Sequence, residues 1–217
     1  METKPSPQTK PLAHHFDSYE QQESAGTLGM WLFLCTEILM FGGLFVGYVL
    51  YHSLYPEIFK AGATFLEWKK GGINTVVLLI SSFTMALSIY YAQKNKMKAC
   101  RMSLILTLFC GLLFMLIKYM EYSHKMHVGI FPGKFFAYTG EGNVEGLALY
   151  FSFYYLMTGL HASHVLAGMG LIGWALFRAF QNKIGPNNYK PLEYVGLFWH
   201  LVDLIWIYLF PLLYLVE

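Results

Sequence analysis

Five apolar stretches, each long enough to cross a bilayer, constrain this chain more than any other feature. A spanning helix needs about 20 predominantly apolar residues. Residues 28–51, 73–92, 102–120, 147–177 and 194–216 each supply them. In hydrocarbon a backbone must satisfy its own polar groups, so the expected fold is all-α, a polytopic bundle of five transmembrane helices. Composition agrees: charged residues make up only 13% of the chain, about half the usual share in soluble domains. The fourth stretch exceeds one bilayer thickness and should tilt or project. Pro211, in the last turns of the fifth, predicts a kink there.

The organisation is simple. Residues 1–26 are polar, with Pro5, Pro7, Pro11 and His14-His15, and read as a flexible N-terminal tail. They do not fit a cleavable signal peptide. Residues 27–217 form one membrane domain, with no tandem repeat. The net charge of +2 gives no reason to expect a nucleic-acid partner. Cys35, Cys100 and Cys110 have no metal-ligand spacing and read as packing residues. Lys94, Lys96, Lys98 and Arg101 crowd the second connection, and Arg178, Lys183 and Lys190 mark the fourth. Positive connections stay in the cytoplasm, so the N-terminus is expected inside and Glu217 outside. The third connection is rich in glycine (Gly129, Gly133, Gly140, Gly142) and should be an external, turn-rich loop.

Ionisable residues inside these stretches ask for a physical reason, because a charge in hydrocarbon costs at least a few kcal/mol (~2.5 or more) unless paired. Glu37 stands about ten residues into the first span, near mid-bilayer at about 1.5 Å rise per residue. It should be neutral or held by a donor on a neighbouring helix, with His161, His164 and His200 the candidates by depth. His200 and Asp203 are three apart on the fifth span and could pair. Trp199 and Trp206 flank them. On the fourth span, Tyr150, Tyr154, Met157, His161, His164 and Gly168 share one stripe, which must face protein, headgroups or water. Gly159, Ser163, Ala167 and Gly170 lie on the opposite face, and Gly43 and Gly47 on the first span. Small residues at this spacing let helices approach closely, so these faces should touch other helices.

Three readings compete for these residues. Histidines on two spans could ligate a haem iron, with His164 and His200 suitable in type, but no matched pair sits at one depth. Glu, His and Asp inside a membrane can relay protons, but the repeats and broken helices of transporters are missing. The third reading makes them interhelical hydrogen-bonding residues without chemistry of their own, which is the default for scattered membrane histidines. Glu37 strains that default most.

Four local sequences resemble subunit III of the haem-copper oxidases: FLCTEILMF around Glu37, the pair Glu121-Tyr122, GLHASHV with His161 and His164, and WHLVDLIWIYLFPLLY with His200 and Asp203. The resemblance covers nearly everything after the tail. It implies a non-redox subunit in a bacterial cell membrane, with no catalytic residue, no metal and no cofactor of its own. Haem and copper belong to subunits I and II, where dioxygen is reduced to water and protons are translocated. Subunit III packs on subunit I, and a small subunit IV can accompany it. Its expected contribution is assembly, phospholipid binding, oxygen access and sustained proton uptake. On this resemblance Glu37 matches a buried reactive carboxylate. Glu121, Tyr122, His161, His164, Arg178, His200 and Asp203 are interhelical or lipid-associated. Longer family members have seven spans, and this chain starts at the equivalent of their third. Glutamate rather than aspartate at position 37 leans toward a cytochrome c oxidase. A quinol oxidase subunit, or an accessory subunit of a nitric oxide reductase, is the alternative.

Overall fold

The computed structural model describes residues 16–141 and 145–215. Five of its helices are long and apolar enough to cross a membrane: α1 (Tyr19–Leu54), α3 (Trp68–Gln93), α4 (Met97–His127), α5 (Leu147–Phe180) and α6 (Lys190–Tyr214). A short helix, α2 (Pro56–Thr64), follows α1, and one 3-10 turn (Gly133–Phe135) stands in the third connection. No strand occurs among the described residues.

Every long helix extends beyond its apolar stretch at one end or both, while α6 stops two residues short of the end of its stretch. α1 starts at Tyr19, so residues 19–26, expected to be flexible tail, are helical. The start is fixed locally: the Gln21 amide donates to Ser18 Oγ, and the Asp17 amide donates to Gln21 Oε1. Side chains there replace the partners that the first helical amides lack. Residues 1–15, with His14 and His15, lie outside the described residues.

Three helices stop in the same way. Asn95 after α3, Gly129 after α4 and Asn182 after α5 take positive φ values of 58°, 85° and 55°. Each puts the next amide back onto a carbonyl of the last turn: Lys96 onto Tyr91, Ile130 onto Lys125 and Lys183 onto Arg178. Glycine and asparagine tolerate this left-handed conformation, and the turn satisfies orphan carbonyls. α6 instead runs through Pro211 to Tyr214.

The chain divides between Met40 and Phe41 into two compact units. The described part of the first is the N-terminal portion of α1, with Trp31, Leu32, Ile38 and Leu39 exposed. In the second, α4 packs between α3 and α5, and α6 closes the bundle against both α3 and α5. The bundle uses glycines where helices come closest. A Cβ on Gly168 would stand 2.7 Å from Trp199, and one on Gly196 would stand 2.6 Å from Ile89. Hydroxyls tie helices as well: Thr84 of α3 meets Thr107 of α4 at 2.8 Å. α2 lies on α5 so closely that a Cβ on Gly62 would be 2.3 Å from the Tyr150 ring.

Candidate functional site

α4 carries Lys118, Glu121 and Lys125, three and four residues apart, hence on one helical face. The structure turns that face inward. Their side chains are 3–5% exposed. Lys118 Nζ donates to Glu121 Oε2 at 2.9 Å, and Lys125 Nζ donates to Oε1 at 3.0 Å. From α6 the Tyr214 hydroxyl reaches both carboxylate oxygens at 2.9 Å. Lys118 also donates to the hydroxyls of Tyr154 on α5 (3.1 Å) and Tyr214 (2.9 Å). Its ammonium lies 5.0–5.6 Å from the ring centroids of Tyr154, Tyr122, Trp206 and Tyr214, within cation–π range. The pair of ammoniums, one carboxylate and an aromatic cage join α4, α5 and α6. Tyr122 adds a hydroxyl contact to Thr158 on α5.

The centre ties three helices together through charge-assisted hydrogen bonds. Glu121 accepts from two ammoniums and a phenol, which fills most of its acceptor capacity. The sequence reading singled out Glu121 and Tyr122 but missed Lys118 and Lys125. The K-x-x-E-x-x-x-K spacing was the available signal. Lysines near the end of a span are usually read as snorkelling to the interface, and the burial of these two comes from α5 and α6.

The fifth-span motif splits differently from expectation. His200 does not pair with Asp203. Its Nδ1 meets Ser82 Oγ of α3 at 2.7 Å, while the neighbouring Trp199 Nε1 donates to Ser81 Oγ at 2.8 Å. Two consecutive residues of α6 thus latch onto two consecutive serines of α3. Trp206 Nε1 repeats the pattern one level away, donating to Thr75 Oγ1 at 3.1 Å. Trp199 and Trp206 are fully buried bundle residues. Asp203 is buried with neither carboxyl oxygen hydrogen-bonded.

On α5, Tyr150, Tyr154, Met157, His161 and Gly168 all face protein. His161 sits between Phe114 of α4 and Trp206 of α6, at ring distances of 5.6 and 5.3 Å. At 1% exposure it has no lipid contact. His164, half-buried, points elsewhere: its Nδ1 is 2.8 Å from the Leu160 carbonyl, and its ring edges onto Phe41 at 5.2 Å. The two histidines of the GLHASHV sequence therefore sit in different surroundings.

The small-residue faces find few partners within this chain. A Cβ on Gly159 or Gly170 would meet nothing within 4 Å, and Ser163 and Ala167 are exposed. Gly43 is likewise open, and Gly47 has only Phe153 at 3.7 Å. Apart from Gly47, these glycines meet no other helix among the described residues. The close-packing glycine of α5 is Gly168, on the other side. Glu37, half-buried, belongs to the first unit. Arg178 lies near the end of α5 with its guanidinium 5.1 Å from the Trp174 ring centroid. Arg101, expected only to mark a cytoplasmic connection, donates twice to the Ala179 carbonyl and once to Asn182 Oδ1, holding the end of α5. Glu217 lies outside the described residues. Among those residues, no three His, Cys, Asp or Glu side chains gather as a metal site.

Comparison with known proteins places this geometry. Residues 16–217 match the family described as "Cytochrome c oxidase subunit III". A "Probable quinol oxidase subunit 3" of Staphylococcus haemolyticus is 30% identical over 200 residues, covering 92% of this chain and 93% of that protein. Proteins of the same printed name from Staphylococcus saprophyticus and Staphylococcus aureus (strain USA300) are 28% and 29% identical. They cover 94% and 92% of this chain, and 97% and 93% of their own lengths. With five bilayer-length helices and a match over all but its first 15 residues, the chain is a multi-pass membrane protein that belongs to the cytochrome c oxidase subunit III family of the haem-copper oxidases.

Proposed function

We propose that this chain is the non-redox subunit III of a respiratory terminal oxidase in a bacterial cell membrane. It supports the subunit that reduces dioxygen by holding assembly, lipid and oxygen access in place. The carrying observation is the family match across residues 16–217. The geometry is in keeping with it. The charged centre of Lys118, Glu121 and Lys125 is closed by its own bonds. Gly159 and Gly170 of α5 meet nothing within 4 Å and apolar side chains of α1 are exposed, surfaces that suit a neighbouring chain. Subunit I is the proposed occupant, with subunit II and a small subunit IV in the same complex. Haem and copper stay on the partners. Phospholipid is proposed at Arg178, whose planar guanidinium suits a phosphate. The N-terminus is proposed to be cytoplasmic and the C-terminus external, from the basic connections.

The electron donor has two readings, each with one support. Glu37 in FLCTEILMF favours cytochrome c. The printed names of the relatives favour quinol, and they come from matches over more than nine-tenths of both chains. The donor is read by subunits I and II, so the test is on the complex. The tagged chain is purified from native membranes, and oxygen uptake is followed with reduced cytochrome c and with a quinol. A co-purifying subunit with a dinuclear copper domain and uptake with cytochrome c alone selects the first reading. Uptake with quinol alone, and no such copper, selects the second. Purification without any haem-containing partner refutes the proposal itself.

A further inference from the structure

The bundle of α3 to α6 bonds most of its buried polar side chains directly. Ser81 accepts from Trp199, Thr84 meets Thr107, and the Lys118–Glu121–Lys125 centre is internally satisfied. Three side chains break this rule. Asn74 on α3, His161 on α5 and Asp203 on α6 are 0%, 1% and 3% exposed. Neither polar atom of any of the three has a hydrogen-bond partner. Ser82 lies beside Asp203, but its hydroxyl is engaged with His200 Nδ1 and reaches neither Asp203 oxygen in hydrogen-bond geometry.

One of the three exceptions touches an indole, and the other two stand on the helices that meet at it. His161 is in ring contact with Trp206 at 5.3 Å. Asp203 precedes Trp206 by one helical turn on α6. Asn74 precedes Thr75, which accepts the Trp206 N–H. The other unpartnered buried hydroxyl, Tyr48, belongs to a separate aromatic group with Phe59 and Phe153. Unmet polar atoms in a low-dielectric core are costly, and buried groups of this kind are met by ordered water when protein does not meet them. The required ligand must be small, because Phe114 and Trp206 close the space around His161. It must both donate and accept, because an amide presents both functions and so does a neutral imidazole.

We propose that the bundle core holds internal water, bonded to His161 beside Trp206 and to the buried Asp203 and Asn74 of the adjoining helices. The site is independent of the electron donor and of the contacts to other subunits.

The test is made on the intact complex captured by this chain. A density map at a resolution that shows ordered water is expected to place peaks about 2.6–3.2 Å from His161 and Asp203. A peak with the shorter contacts and higher coordination of a cation, or side chains bonded directly to one another with no peak between them, overturns the proposal. A second measurement uses the sign of a stability change. If water meets His161, His161→Phe strips the water of a partner and lowers the temperature at which this chain unfolds, by about 2–4 °C. If the imidazole is dry and unmet, the same substitution removes an unpaired polar group, and the temperature is unchanged or rises. Should His161→Phe fail to assemble, the wild-type map decides alone.

Discussion

Replacing Glu121 by glutamine should damage this protein more than removing either lysine that contacts it. The charge arithmetic of the centre explains why. Two ammoniums and one carboxylate carry a net charge of +1. Lys118→Met or Lys125→Met leaves one ammonium facing one carboxylate, still supported by Tyr214 at 2.9 Å. Glu121→Gln leaves two ammoniums, both buried, without any counter-charge. Removing one partner of a buried ion pair costs about 3–5 kcal/mol. Losing a hydrogen bond to a charged group costs about 1.5–3 kcal/mol. For a chain of this length each kcal/mol moves the midpoint by about 2–4 °C. Glu121→Gln should therefore lower it by roughly 6–20 °C, and each lysine variant by less. Lys118→Met should exceed Lys125→Met, because Lys118 also donates to the Tyr154 and Tyr214 hydroxyls. The assay heats the detergent-purified complex in steps and follows loss of this chain by size-exclusion chromatography. The double variant Glu121→Gln/Lys118→Met restores some of the loss if charge imbalance is the cause. Lysine variants as damaging as Glu121→Gln would refute the argument.

Three further outcomes follow from other parts of the molecule. Arg101→Ala removes three donated hydrogen bonds from the end of α5 and should cost about 1.5–3 kcal/mol; Arg101→Lys, lacking the planar fork, should recover only part of it, as read by the same heating assay. Gly62→Ala places a methyl group into the Tyr150 ring, so α2 must lift from α5; the overpacking should cost about 1–3 kcal/mol, and proteolytic cleavage near α2 at the wild-type rate would count against it. Glu37→Gln should leave the complex assembled with initial oxygen uptake close to normal, while Glu37→Ala should loosen retention of the chain during purification; loss of initial turnover in a fully assembled Glu37→Gln complex would replace the supporting role with direct proton transfer.

The sequence by itself determined the architecture. Apolar length sets the number of spans, because in hydrocarbon nothing but a closed helix satisfies the backbone. Pattern also singled out His161, Trp199, His200, Asp203 and Trp206, and the family resemblance added Glu121. The sequence did not determine their partners. Sequence spacing made His200 and Asp203 neighbours, but a side chain three residues away competes with those on the next helix, and Ser82 of α3 won His200. Sequence spacing also made the glycines of α5 a packing face, yet it cannot say which of two faces its own chain will cover. The bundle covers the Gly168 side and leaves Gly159 and Gly170 open. Lys118 and Lys125 show the limit most clearly. Beside a helix end they read as solvated charges, and only the packing of Tyr154, Trp206 and Tyr214 from two other helices makes them the buried centre of the fold. Burial is a property of what surrounds a residue, and in a helical bundle the surroundings come from segments tens of residues away.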